Sequence, residues 1–299
     1  MKRTLFILIA LIFSSGCARF AVNRVGDAMA GSGTTFASDN DPELIREAVP
    51  FALKLEESLL AESPEHRGLL LATTSGFTQY SYAFVQEDAD EFEATDLTAA
   101  TAMHLRARKL YLRARDYGLR GLEASHRGFG KALQAEPKKA VRMARKRDVP
   151  QLYWTAAAWG AAISVSKDQP DIVADLPKVE ALIDRALELD ESFDHGAIHT
   201  FLISYEMARP GVKADEAAAR AKQHFERAMQ LSGGQLASPL VAYSEAVCVQ
   251  KQQRAEFETL LKQALAIDVD QKPDWRLTNL VMQRRAKWLL SRTDELFAE

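Results

Sequence analysis

Three observations predict an all-α protein, built as stacked antiparallel helix pairs in a degenerate tetratricopeptide-like array with a C-terminal capping helix. The first is a pattern of small and large residues that recurs at relative positions 0, 4, 7 and 10. It reads Ala107, Tyr111, Ala114 and Tyr117; Val179, Ile183, Ala186 and Leu189; Ala221, Phe225, Ala228 and Leu231; Phe257, Leu261, Ala264 and Ile267; and, more faintly, Ile45, Val49, Ala52 and Leu55. Those offsets lie along one helical stripe. The second is spacing: the last four sets start 72, 42 and 36 residues apart, near one or two lengths of the roughly 34-residue tetratricopeptide unit. The third is that no alternating strand pattern of useful length occurs after residue 40.

The first sixteen residues are a separate object. Lys2 and Arg3 form a positive n-region and Leu5 to Phe13 an unbroken apolar run, too short to span a bilayer. Ser15 and Gly16 directly before Cys17 resemble a bacterial lipobox, although Ser14 stands where leucine is usual. The expectation is a cleaved signal peptide over 1–16 and a diacylated Cys17, held by about 0.8 kcal/mol per buried CH₂. Ala18 next to it is compatible with outer-membrane sorting, on the periplasmic side of the envelope. Residues 17–40 read as a lipidated tether, glycine-containing and without a sustained period.

The helical domain should occupy 41–299. Asp41 is an expected N-cap with Pro42 in the first helical position. Between the marked helices, partner helices are expected over His66–Val85, Leu152–Ser164, Phe193–Met207 and Pro239–Gln253, with Trp275–Leu290 as the capping helix. Breaks are expected at Ser63-Pro64, Gln169-Pro170, Arg209-Pro210-Gly211, Gly233-Gly234 and Lys272-Pro273. The long Asp90–Leu119 segment should project beyond its neighbours.

Leu152–Ser164 sets Trp154 and Trp159 into a surface otherwise made of alanine and glycine. Small residues let helices approach closely enough for indoles to bury large areas. Five residues at 3.6 per turn place the two rings roughly 140° apart, so one can serve the core while the other faces a cavity. Both tryptophans read first as packing knobs; the other reading is that one of them lines a ligand channel.

Net charge is formally −3, and becomes −5 once residues 1–16, which hold Lys2, Arg3 and no acid, are gone. A chain so balanced lacks the basic surface that general nucleic-acid binding needs. Enzyme signatures are missing: there is no Gly-x-Ser-x-Gly, P-loop, dinucleotide glycine fingerprint or His-Glu-x-x-His. No catalytic residue, metal or cofactor is therefore assigned. His195 and His199, at i and i+4 after Asp194, could share a metal, but no third ligand is evident and a hydrogen-bonded or interfacial histidine pair is the favoured reading. Asn279 interrupts the apolar face of the last helix and must either bridge backbone carbonyls of a neighbouring pair, the favoured reading, or point into a polar part of a cavity. With Cys17 acylated, Cys248 has no disulfide partner and reads as a small buried hydrophobe. Lys138, Arg142, Arg145 and Lys146, with Lys139 and Arg147, form a basic face, solvated or turned to anionic headgroups or an acidic partner. Arg106, Arg108, Arg113 and Arg115 should pair with acids on adjacent helices.

Four blocks carry a family resemblance: Tyr111-Leu112-Arg113-Ala114-Arg115-Asp116-Tyr117-Gly118; Asp148-Val149-Pro150-Gln151-Leu152-Tyr153-Trp154 with Trp159-Gly160; His224-Phe225-Glu226-Arg227-Ala228; and Arg276-Leu277-Thr278-Asn279-Leu280. From about residue 43 to the end, the chain resembles the TatT family of lipoproteins associated with tripartite ATP-independent periplasmic (TRAP) transporters. The resemblance implies a tetratricopeptide-like helical protein that forms a homotrimer and docks a periplasmic solute-binding subunit. It also implies a pore in each protomer suited to an apolar ligand. The leading expectation is a transport accessory that passes a hydrophobic or carboxylated small molecule, with Tyr153, Trp154, Trp159, His195, His199 and Asn279 as candidate channel or interface residues. The alternative is a general envelope scaffold that grips protein or peptide partners.

Overall fold

A computed structural model describes residues 24–29, 31 and 33–298. The signal peptide and Cys17 lie outside the described residues, among which there are helices and no strand. α1 (Pro42–Glu62) starts as its cap requires: Asp41 Oδ1 accepts from the Glu43 and Leu44 backbone N–H groups, both at 3.1 Å. α2 (Arg67–Ser81) is capped by His66, runs through a π-helical turn at Tyr82–Gln86 and enters α3 (Glu87–Phe92). α4 (Leu97–Ser125) follows a cap by Asp96, then α5 (Phe129–Ala135) and α6 (Val149–Ser164). α7 (Leu176–Leu189), α8 (Ala197–Ala208) and α9 (Ala214–Ser232) come next, α9 ending on Gly233 in the left-handed conformation. α10 (Ala237–Tyr243) passes into a second π turn at Ser244–Cys248, and α11 (Arg254–Ala266) and α12 (Arg276–Ser291) follow, with a last short helix over Thr293–Leu296. The expected breaks near Pro64, Pro210, Gly233 and Pro273 all fall between helices.

α4 does not project. It lies between α2 and α6, and Ala100, Ala107, Tyr111, Ala114, Gly118, Gly121 and Leu122 bury its inner face. The Asp90–Leu119 segment is also divided, because Phe92 ends α3 and Asp96 caps α4. Glycine explains the close approach. A Cβ on Gly118 would stand 2.3 Å from Thr155 Oγ1, and one on Gly121 2.5 Å from Gln151 Cδ. Gln151 Nε2 then donates to Gly118 O and Thr74 Oγ1, each at 3.3 Å, tying α6 to α4 and α2.

α12 does more than cap an end. One side packs on α10 and α11, while α1 and the short helix Gly33–Ala37 meet its other side. Charge completes this contact. Arg284 donates to Asp88 (2.6 Å) and Glu91 (2.8 Å), Arg285 to Asp90 (2.7 Å) and Glu245, while Arg46 of α1 also binds Asp88. Last helix and first helices are thereby joined, and one apolar cluster runs from Ile45 to Phe297. A second cluster surrounds Trp159 with Leu182, Ile198 and Phe129.

Several local expectations change. Residues 24–29 and Gly33–Ala37, within the stretch read as tether, are helical. Arg276 Nη1 binds Ser38 O at 2.7 Å and the short helix packs on α12, so packed structure begins before Asp41. These pieces are too short to show a period. Phe193–Gly196 is not the start of α8: Asp194, His195 and Gly196 all have positive φ, forming a kink that α8 follows. The basic run is no single helix face, being split among Pro137–Ala140 and two 3₁₀ turns, although all six cationic side chains are exposed. Of the four α4 arginines, Arg113 pairs with Glu57 of α1 (3.0 Å) and Arg108 with Asp168 (3.9 Å). Arg115 pairs with Asp116 on its own helix and Arg106 reaches Tyr80 Oη.

Candidate functional site

A cavity of about 440 Å³ lies where α1, α2, α6 and α12 converge, within the roughly 300–1,000 Å³ range of small-molecule pockets. Its walls are apolar for reasons local to each helix. α1 turns Ile45, Val49 and Leu53 inward at helical spacing. The π turn after α2 widens the helix by one residue per turn and brings Tyr82, Ala83 and Phe84 to the wall. α12 supplies Leu277, Val281 and Met282, and Met29 and Phe36 close the N-terminal side.

Glu56 is the one charged side chain among the described residues lining this space. It is 8% exposed and its Oε2 has no hydrogen-bond partner. Burial pushes the carboxyl up to about 7, because an ionised group loses its hydration there. The Thr73 hydroxyl is near enough to pull weakly the other way, yet Thr73 Oγ1 makes no hydrogen bond either. The faint Ile45–Val49–Ala52–Leu55 stripe ends on Leu55, which is exposed, and misses Glu56 beside it. A signal was present: Ile45, Val49, Ala52, Glu56 and Leu60 follow one another at steps of 4, 3, 4 and 4, placing a carboxylate on the inner face.

The two tryptophans part as their angular separation allows. Trp159 is 1% exposed in the second cluster, with Arg115 and Lys178 over its ring at 5.1 and 5.6 Å. Trp154 is half-buried and lines the cavity. Tyr153 stands edge-on to Trp154 at 5.0 Å and tilts onto Phe193 at 5.3 Å, and does not line the cavity.

The remaining candidates lie elsewhere. His195 is exposed on the kink, its ring 4.7 Å from that of Trp275. His199 is buried and does not pair with His195; its Nδ1 is 2.9 Å from Nδ1 of His224 on α9. Among the described residues no group of three or more His, Cys, Asp or Glu is placed to hold a metal. Asn279 latches backbone, Oδ1 accepting from Ala237 N–H (2.9 Å) and Nδ2 donating to Gln235 O (3.0 Å). One of its two backbone partners is thus an N–H rather than a second carbonyl. Cys248 is buried, and that burial pushes its thiol up to about 12.

The histidine pair carries a pH consequence. Burial, with the His199 and Arg209 charges, lowers His224 to about 4; burial also lowers His199, with Glu191 opposing and Arg227 assisting. A histidine depressed below its ordinary 6.5 contributes stability that is intact above that value and lost as pH falls towards 4. Thermal melts of the wild type and His224→Gln from pH 7 to 4 should therefore converge as pH falls, the wild type losing more. Parallel curves would show that the pair does not titrate with unfolding.

No helix among the described residues is long and apolar enough to cross a membrane. The chain is 28% identical over 268 residues, 88% of its length, to an uncharacterised protein of Treponema pallidum (strain Nichols), of which the match covers 83%. The family model described as TRAP transporter T-component matches residues 38–297. That span includes the walls from α1, α2, α6 and α12 together with Glu56 and Trp154, and the chain belongs to the family of TRAP transporter T-components.

Proposed function

We propose that this T-component is a periplasmic lipoprotein anchored through Cys17, in the outer membrane, that docks the solute-binding subunit of its transporter. In this reading it passes a hydrophobic or carboxylated small molecule through the α1–α2–α6–α12 cavity, without a cofactor or catalysis. Its helix pairs serve as degenerate tetratricopeptide-like units presenting a broad surface, and it works as a homotrimer. The observation that carries the reading is the cavity: about 440 Å³, walled by aliphatic and aromatic side chains, with Trp154 on its rim.

Extraction of the purified protein with organic solvent, followed by mass spectrometry, should recover lipid-like material. Ala72→Phe, which fills the cavity from α2, should reduce that material at least fivefold while co-purification of the solute-binding subunit from native membranes persists. Empty extracts together with no solute-binding subunit would remove the transport reading. The alternative, a general envelope scaffold, is favoured by one feature: Leu44, Phe51 and Leu55 form an exposed apolar stripe on the outer side of α1, Phe51 being 74% exposed. Under that reading other proteins co-purify and Ala72→Phe changes nothing.

A further inference from the structure

The cavity holds a feature that a purely apolar conduit would not need. Glu56 is more than nine-tenths buried at its wall, and Oε2 meets no donor. No arginine, lysine or histidine among the described residues forms an ion pair with it, and its position is not modulated by a neighbouring charge. A buried carboxyl without a partner costs stability, several kcal/mol for an uncompensated charge by the usual order of magnitude. An alanine or leucine there would extend the apolar inner stripe at no such cost. The Thr73 hydroxyl stands near Glu56 without forming a hydrogen bond, and three polar groups of the lining are engaged elsewhere: Ser75 Oγ donates to Ala72 O, Gln79 Nε2 to Ser75 O, and Tyr80 Oη receives Arg106.

We infer that the cavity binds a molecule with an apolar body and one hydrogen-bond-donating head, an alcohol or a protonated amine, which docks on Glu56. This inference rests on the reading of the cavity as the ligand site and narrows the solute classes it admits. A donor head satisfies the orphan oxygen, so binding recovers the desolvation cost that the empty site carries. A carboxylate head does the opposite, bringing a second acceptor-only anion beside Glu56 where no cation separates them. Since the carboxyl stands at about 7 in the free protein, it is mostly ionised at pH 8 and the discrimination is then largest. The apolar body lies against Ile45, Leu53, Phe84 and Val281, and the Trp154 ring lines the same space.

The test uses three probes with one chain and three heads. 1-Decanol, decylamine and decanoate are titrated calorimetrically at pH 8 into the purified full chain after removal of bound lipid. Decanol and decylamine should each bind at least tenfold tighter than decanoate. Glu56→Gln, which keeps shape and removes the charge, should bring the three to within about threefold and should melt no lower than the wild type. Decanoate binding as tightly as the other two in the wild type, or a preference that survives Glu56→Gln, overturns the inference and leaves the cavity as a ligand site. Absence of binding by all three overturns the ligand-site reading as well. Should Glu56→Gln not fold, the wild-type order of the three probes decides.

Discussion

Arg285→Met should lower unfolding stability by about 3–5 kcal/mol, the cost of breaking a buried ion pair from one side. The Arg285 side chain is 7% exposed and binds Asp90 at 2.7 Å and Glu245. Glu87 is buried beside this pair with neither carboxylate oxygen hydrogen-bonded; burial pushes it up to about 8, with Arg285 and Arg284 opposing. Removing the cation takes away the charge that most opposes the burial of Glu87, so the folded-state affinity of that carboxyl for protons rises further above the unfolded value. A carboxyl raised in the folded state favours folding at low pH, and that advantage is lost as pH rises from about 4.5 through its folded value. The deficit of Arg285→Met should therefore be larger at pH 8 than at pH 5, read from urea midpoints at both. Arg254→Met, which breaks pairs to Asp294 and Glu258 on the surface, should shift the midpoint far less, because solvent screens exposed pairs. A deficit for Arg285→Met equal to that control would show that α12 is held by apolar packing alone. Because α12 supplies Leu277, Val281 and Met282 to the cavity, loosening it should also reduce retention of bound lipid.

Trp159→Ala should destabilise by about 3–5 kcal/mol, a fall in Tm of roughly 6–15 °C, since it empties a fully buried position in a well-packed cluster. Trp154→Ala should cost less than half as much. Its ring is half-buried and one side already faces open space, so fewer contacts are lost and no new sealed void forms. The two variants should diverge in function as well. Trp154→Ala alters the proposed ligand cavity while leaving Trp159 and its core intact, so on that proposal retained lipid should fall with little change in Tm. Equal melting shifts for both variants would mean that Trp154 is packed as a core residue and the cavity is not open at its side.

Much of the fold is written locally in the chain. The Asp41 cap, the breaks at Pro64, Pro210, Gly233 and Pro273, and the stripes of Ala107–Tyr111–Ala114 or Phe257–Leu261–Ala264 follow from backbone chemistry and a 3.6-residue period. So does the splitting of Trp154 from Trp159 onto two faces. Periodicity says which face of a helix is buried but not what it is buried against. Which tryptophan met a cavity was therefore decided by the placement of α1, α2 and α12.

Three features came from tertiary structure alone. Arg285 and Asp90 are 195 positions apart, and only the return of α12 to α3 joins them. His199 met His224 rather than His195 because the left-handed kink at Asp194–Gly196 turns His195 outward to Trp275 while α8 packs on α9. Glu56 lay on a legible stripe, but its meaning did not. A carboxylate on an apolar stripe is solvated on an open surface and unpartnered against a cavity wall, and the sequence by itself determined the stripe while the walls around it were decided by helices far apart in the chain. Local propensity acts through neighbours within about a turn, whereas desolvation depends on every atom that excludes water from the site.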